Sequence, residues 1–210
     1  MSCGMRSASD AFSRRALLLS ALACCAVARA EPGGLPAVAA RYRVTWTDAD
    51  GSLSRQRWFF LRQPQQVALV KGDVEEIWRR DPRNGDVSLL RVWRAQRLLV
   101  DYPAGELRAL NVVADWRALS MLDDEHRPGE ALDWDSTWQL PRRLLRQAGG
   151  RSLQWSLLDA RASPAADWPI PAAATDGFDR LDAADFGDME YDPRVRQLLA
   201  RDAAAGWRRP

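Results

Sequence analysis

The chain has 210 residues, of which 47% are hydrophobic and 28% charged, and its formal net charge is +2. These values are typical of one globular domain, and they exclude the strong basic footprint of a nucleic-acid-binding protein. All three cysteines lie within residues 1–30, so the rest of the chain offers no disulfide and no thiol nucleophile. Its single histidine, His126, excludes a metal site that needs two histidines.

Residues 1–30 have the three parts of a cleavable signal peptide. A basic segment ends at Arg14-Arg15, an apolar run covers 16–28, and the run ends on the small residues around Ala30. The apolar run is too short to span a bilayer. The paired arginines resemble a twin-arginine signal, with general secretory export as the alternative, and a lipid anchor is disfavoured because the lipobox pattern fits poorly. We therefore expect a periplasmic or secreted protein.

Removing the leader changes the charge balance of the chain. The leader holds four arginines and one aspartate, so residues 31–210 carry 26 basic and 27 acidic residues, a net charge of −1. Lys71 is the only lysine of the chain. A nearly neutral domain has no general attraction for nucleic acid, and no nucleic-acid partner is predicted.

The first part of the exported chain predicts a β-meander. Residues 31–40 are rich in Pro, Gly and Ala and predict a flexible lead-in. From 41 to about 110, apolar and polar residues alternate with the period of two that half-buried strands show. The connections are short, with 81–86 as the strongest hairpin signal, so neighbouring strands should pair antiparallel. The predicted strands cover 42–47, 53–62, 67–70, 74–80, 87–94 and 98–102.

The second part predicts short helices and a returning strand. Asp115 can cap the first helix, Pro141 fits the first turn of a second, and Asp192 followed by Pro193 begins a third. Gly149 and the glycine after it would end the second helix. The predicted helices cover 116–122, 142–147 and 193–206, and the predicted strand covers 152–158.

Residues 159–192 form an acidic segment that predicts a loop. Asp182, Asp185 and Asp188 recur every three residues and are weak candidates for cation ligands. This spacing does not match the alternating ligands of an EF-hand, so no metal and no cofactor is predicted. The alternative is an internal charge match between this segment and the basic residues of 193–210.

No motif in the sequence predicts a catalytic residue. His126 lies in a loop beside two carboxylates, which could raise its pKa, but an ordinary exposed histidine is the simpler interpretation. Glu75 and Glu76 are adjacent on a predicted strand and should face opposite sides of the sheet. The acidic residues 123–125 follow a helix and should end it in solvent. A carboxylate-based hydrolase is therefore a minor alternative, and the protein is predicted not to be an enzyme.

Aromatic residues on successive predicted strands are the best functional lead. If their faces coincide, they form a broad apolar surface that could hold an acyl chain or an apolar segment of a partner. The alternative is that the predicted helices cover them as ordinary core. The predicted ligand-binding residues are Trp46, Trp58, Phe60, Trp78 and Trp93.

The segments 42–46 and 71–81 resemble, in pattern and order, the half-barrel domains of periplasmic lipoprotein carriers and envelope-stress sensors. The resemblance covers about 70 residues and contains no diagnostic motif, so no binding residue is carried over. It implies a sheet whose apolar side is partly filled by helices and accepts acyl chains.

Together these patterns predict an α+β fold with a single antiparallel β-sheet, a meander of six to eight strands, short helices across one face and a C-terminal helix. The predicted function is an exported, non-enzymatic binding or carrier protein whose ligand is an apolar small molecule or lipid. The alternative is an assembly factor for an envelope complex, which would use the acidic 176–192 segment and the basic C-terminal helix to bind a protein partner.

Overall fold

The computed structural model describes residues 34–122, 130–148, 150–188 and 191–204. The predicted signal peptide, His126 and the acidic residues 123–125 lie outside these ranges. The described residues form one open sheet of ten strands with the order β10-β6-β5-β4-β3-β2-β1-β9-β8-β7. The strands are β1 (Val38–Thr47), β2 (Leu53–Gln63), β3 (Gln66–Lys71), β4 (Val74–Arg80), β5 (Val87–Trp93), β6 (Leu98–Tyr102), β7 (Glu130–Asp135), β8 (Leu140–Ala148), β9 (Arg151–Arg161) and β10 (Asp179–Asp182).

The first six strands form the predicted antiparallel meander. Each pairs with its sequence neighbour, and all six predicted strands agree with the observed ones to within a few residues. Tight turns connect them, and Gly72 and Gly85 have φ angles of +66° and +77° that favour glycine at these turns. The prediction of a flexible lead-in over residues 31–40 is partly wrong, because β1 begins at Val38 and its first three residues are buried.

The prediction of a purely antiparallel sheet with six to eight strands is wrong. The sheet has ten strands, and β10 runs parallel to β6 at one edge. The chain reaches this edge after β9 through residues 162–178, which cross one face of the sheet. This connection carries the chain from β9, beside β1, back to β6 at the other edge of the sheet. A long crossover of this kind allows β10 to pair parallel to β6, whereas a short hairpin joins antiparallel strands.

The predicted helix 142–147 is also wrong, because these residues belong to β8. Leu140 and Leu144 are both buried. Residues four apart lie on the same face of a strand and also on the same face of a helix, so this spacing fits either structure. β8 pairs with β9 only from Arg143 onward, so Pro141, which lacks an N–H, lies before that ladder begins. Hydrogen bonding of β8 to β7 and β9 therefore outweighed the helix signals of the proline before the segment and the glycines after it.

The two faces of the sheet pack against different parts of the chain. The tryptophan face, defined by the five predicted aromatic residues, packs with three α-helices and a 3₁₀ helix into the main core. The smaller core on the opposite face includes Ile77 and Val92, with Ala172 and Phe178 packed against it. The helices are α1 (Ala104–Ala109), α2 (Trp116–Met121), the 3₁₀ helix (Ala183–Gly187) and α3 (Pro193–Ala204). In the described part of the chain, no helix is both long enough and apolar enough to cross a membrane.

Side-chain caps begin two of these helices where the sequence predicted them. The Asp115 carboxylate accepts a hydrogen bond from the Ala118 N–H at 2.7 Å, and the Asp192 carboxylate accepts one from the Arg194 N–H at 2.8 Å. Each cap satisfies a backbone donor that the helix itself leaves unpaired.

Replacing Asp115 by alanine should lower the free energy of unfolding by about 1 kcal/mol, because α2 loses its only side-chain cap. Urea denaturation followed by circular dichroism measures the change. Asp167→Ala, at an exposed aspartate, is the control and should have little effect. Equal effects of the two changes would show that the cap contributes nothing of its own.

Candidate functional site

All five predicted aromatic residues lie on the same face of the sheet. Trp58, Phe60, Trp78 and Trp93 are buried in the main core, and Trp46 is half-buried at its border. The condition that their faces coincide, which the sequence left open, is therefore met. Since four of the five are covered, most of this face is packed core, and of the five only Trp46, at one end of the sheet, is partly exposed.

At that end, three tryptophans form an edge-to-face stack. The ring of Trp58 lies 5.5 Å from that of Trp46 and 4.8 Å from that of Trp155. Tyr42 extends the stack, with its ring 5.8 Å from Trp155. Edge-to-face packing at these distances stabilises aromatic pairs beyond the area that they bury. The stack therefore forms a rigid apolar wall that runs from the core to the surface.

A pocket of about 330 Å³ opens at the outer end of this stack. Such a volume lies at the lower limit of small-molecule sites. Trp46 on β1, Leu153 on β9 and Arg146 on β8 lie in one row across the three strands and form the floor. We call this cavity the Trp46 pocket; its lining residues are Trp46, Thr47, Asp48, Arg146, Arg151, Ser152 and Leu153.

Two cations lie over the rings of the stack. The Lys71 ammonium is 5.3 Å from the Trp58 ring, and the Arg146 guanidinium is 5.7 Å from the Trp155 ring. The negative face of an indole ring attracts a cation at such distances. The Trp58 N–H donates to Gln56 at 3.2 Å, whereas the Trp155 N–H is buried and has no acceptor among the described residues.

A buried ion triad lies on the same face, beside the stack, where Lys71 contacts the Trp58 ring. The Glu76 carboxylate accepts hydrogen bonds from Lys71 at 2.7 Å and from Arg91 at 2.9 Å. Burial of Glu76 raises its pKa, but the charges of Lys71 and Arg91 outweigh this effect and lower the pKa to about 2. The carboxylate is therefore ionised at every physiological pH.

Arg62 fixes the loops at the other end of the face. Its guanidinium donates to the carbonyls of Pro36 at 2.8 Å and Ser120 at 2.7 Å, and also to those of Trp138 and Gln139. Burial lowers the pKa of Arg62 to about 10, which still leaves it charged at neutral pH. One side chain thus connects β2 to the segment before β1, to α2 and to the β7–β8 turn.

Glu75 lies on the opposite face, as the strand pattern predicted, so it does not converge with Glu76. It accepts hydrogen bonds from Arg94 at 2.6 Å and from the Ala172 N–H at 2.7 Å, and so holds residues 162–178 against the sheet. In that segment the Trp168 ring contacts the guanidinium groups of Arg41 and Arg161, at 5.4 and 5.2 Å. Glu75 and Glu76 therefore bind different partners on opposite faces of the sheet.

The acidic segment 159–192 is more ordered and more internally paired than the sequence predicted. It contains β10 and the 3₁₀ helix, which Asp182 caps through the Ala184 N–H at 2.9 Å. Arg194 of α3 contacts Asp179 at 2.6 Å and Asp192 at 3.1 Å, so part of its charge is matched internally. Within the described ranges, Asp182, Asp185 and Asp188 do not gather into a set of three metal ligands, and no other such group occurs there.

A second, larger pocket of about 540 Å³ lies near the β7 edge. Its rim is polar: Arg142 contacts Asp135 at 3.2 Å, and Asp135 also caps the turn by accepting from the N–H groups of Thr137 and Trp138. These hydrogen bonds, those from the Trp138 N–H first, lower the pKa of Asp135. Two of the charged groups that line it, Asp135 and Arg142, thus hold the β7–β8 turn.

Sequence reasoning missed Trp155, Lys71 and Arg146 as members of the site. The sequence pattern places Trp155 on one face of the predicted strand 152–158 with Leu153 and Leu157, but the pairing of β9 with β1 was not predictable from local signals. Arg146 was assigned to a helix. No protein-family model matches the chain, and no curated protein matches it significantly.

Proposed function

We propose that the protein is an exported, non-enzymatic binding or carrier protein for an apolar small molecule or lipid. The observation that carries the proposal is the Trp46 pocket, which opens at the end of a sheet face otherwise lined with buried aromatic side chains. A ligand seated there would contact Trp46 and Leu153 and could extend along the stack toward Trp58. The leader of residues 1–30 supports export, and the half-barrel resemblance supports an apolar ligand.

The aromatic wall suits this role because it is rigid before a ligand arrives. Trp46, Trp58 and Trp155 hold one another in place, so an apolar ligand would order few additional side chains on binding. A preorganised wall lowers the entropy cost of association. The space is limited, since Trp58 and Trp155 are buried, so a ligand larger than the pocket would need the side chains around them to move.

Native mass spectrometry of the exported chain, purified from the periplasm without detergent, is the first test. We expect an additional bound mass in the range of a small apolar molecule or lipid. The same chain should raise the fluorescence of the neutral probe N-phenyl-1-naphthylamine, since contact with the Trp46 ring and Leu153 would shield the dye from water. A clean unbound mass together with no probe binding would overturn the proposal.

Replacing Trp46 by alanine should weaken binding of this probe roughly tenfold, because the pocket loses its largest apolar wall. A fluorescence titration measures the change. Trp134→Ala is the matched control, since Trp134 is 38% exposed on the edge strand β7 and lies outside the stack. An equal loss in both variants would place the probe somewhere other than the Trp46 pocket.

A further inference from the structure

We propose that the sheet face opposite the tryptophans docks on an anionic lipid bilayer through a group of exposed arginines on β1, β2 and β8. We call this group the arginine patch; its members are Arg43, Arg55, Arg57 and Arg143. The inference goes beyond the proposed function, because it does not depend on the Trp46 pocket.

Strand register places these four arginines side by side. Arg43 pairs with Arg57 across β1 and β2, and both Arg43 and Arg143 pair with Ser156 of β9. Arg55 lies two residues before Arg57, so it points to the same side of β2. All four arginines are exposed and lie outside both cores. The patch is therefore a continuous surface that extends over four neighbouring strands.

The arginine patch has no charge partner among the described residues. None of its four guanidinium groups makes an ion pair or a side-chain hydrogen bond there. Arg43 and Arg57 are directly opposite each other, and like charges in this position destabilise a sheet. An anionic surface placed against the patch would relieve this repulsion.

The face remains positive when the described side chains of β1, β2, β7, β8 and β9 are counted together. It carries six arginines, namely Arg41, Arg43, Arg55, Arg57, Arg143 and Arg161, and two aspartates, Asp133 and Asp159. Asp159 contacts Arg161, whereas Asp133 pairs with Arg143 in the ladder and makes no ion pair with it. The segment that crosses this face adds one exposed carboxylate, Asp167. Arginines therefore still outnumber carboxylates by six to three.

Many of the acidic residues that balance the total charge lie near the other edge of the sheet. β10, which carries Asp179 and Asp182, lies five strand spacings from β2. This corresponds to about 24 Å along the sheet, against a Debye length of about 8 Å at physiological ionic strength. Salt therefore screens these carboxylates from the arginine patch, and a nearly neutral chain can still present a strongly positive surface.

Leu53 favours a membrane over a soluble anion as the partner. Its side chain is 60% exposed and takes the outward position of β2 next to Arg55. A surface that combines cations with an apolar side chain suits a bilayer, because the arginines contact lipid phosphates while the leucine enters the boundary of the acyl chains. A soluble polyanion would contact the arginines and leave Leu53 in water.

Co-sedimentation of the exported chain with lipid vesicles tests the proposal. We expect it to bind vesicles of equal parts phosphatidylglycerol and phosphatidylcholine at least about tenfold more tightly than vesicles of phosphatidylcholine alone. Raising sodium chloride from about 0.05 to about 0.5 M should remove most of this preference. Equal binding to the two kinds of vesicle, or binding to neither, would overturn the proposal.

A pair of double variants locates the docking surface. Arg43→Gln combined with Arg57→Gln should weaken binding to the anionic vesicles about twentyfold, since each arginine near such a surface contributes about fivefold. The variant should resist urea at least as well as the wild-type chain, because the repulsion between the two arginines is gone. Arg83→Gln combined with Arg117→Gln is the matched control, which removes the same charge from exposed arginines outside the patch and should keep the binding. Binding that survives the first double variant, or that falls equally in both, would exclude the arginine patch as the docking surface.

Leu53→Ser distinguishes a membrane from a soluble polyanion, for which inorganic polyphosphate is the probe. The change should weaken vesicle binding severalfold, because the apolar contact is lost, and should leave any binding of polyphosphate unchanged. Polyphosphate that binds more tightly than the vesicles, together with vesicle binding that Leu53→Ser does not affect, would overturn the membrane as the partner.

Discussion

Replacing Glu76 by glutamine should lower the free energy of unfolding by about 3–5 kcal/mol, because it removes the carboxylate that two cations contact in a buried site. The Arg91 side chain is 3% exposed and cannot turn to water without disturbing the core. Denaturation in urea, followed by tryptophan fluorescence, measures the change.

Asp48→Asn is the matched control for this change. It also removes a carboxylate from an ion pair with an arginine, but the Asp48 side chain is 49% exposed and that of Arg151 is 74% exposed. Water screens such a pair, so the loss should be below about 1 kcal/mol. If the free energy of unfolding fell by the same amount in both variants, burial would not be the reason that the Glu76 triad stabilises the fold.

The contribution of Glu76 should also depend on pH. Its pKa is about 2 in the folded protein against 4.5 for the ordinary glutamate, so the folded state holds the carboxylate more strongly in its ionised form. The resulting stability is fully present above pH 4.5 and is lost as the pH falls toward 2. The difference between the wild-type chain and Glu76→Gln should therefore shrink across this window, and a constant difference would contradict the assigned pKa.

Replacing Arg62 by methionine should lower the free energy of unfolding by at least about 3 kcal/mol. The change leaves the carbonyls of Pro36, Ser120, Trp138 and Gln139 without their donor, and each buried acceptor left unsatisfied costs about 1–3 kcal/mol. Methionine keeps most of the apolar volume of the stem, so the effect reports mainly on the lost hydrogen bonds. Urea denaturation is again the measurement.

Arg57→Met is the matched control, since Arg57 lies on the same strand and is exposed. It should change stability by no more than about 0.5 kcal/mol. Arg62→Lys should lose part of the stability, because a single ammonium cannot reach four carbonyls from one position as the guanidinium fork does. A stable Arg62→Met variant would show that the segments around Arg62 are held by packing alone.

Local patterns in the sequence were sufficient for the meander and for two helix caps. The alternation over β1 to β6 and the turn residues between them act over a few residues. The caps at Asp115 and Asp192 are equally local, since each carboxylate bonds a backbone N–H two or three residues later.

Long-range pairing decided what those patterns left open. The segment 142–147 carries a proline before it and glycines after it, yet it is a strand because β7 and β9 supply hydrogen-bonding partners on both sides. The parallel β10 likewise depends on where residues 162–178 bring the chain, which Glu75 and Trp168 help to fix. Neither feature has a signal within its own residues.

The candidate site divides in the same way. The sequence by itself determined that aromatic residues recur on successive strands and that Glu75 and Glu76 face opposite sides of the sheet, because both follow from the residue order and the two-residue period of a strand. Only the tertiary structure decided that four of the five aromatics are covered, that Leu153 and Arg146 join Trp46 at an open pocket, and that Glu76 lies between two cations. These contacts join residues far apart in the chain, and strand register brings them together only when the whole sheet forms.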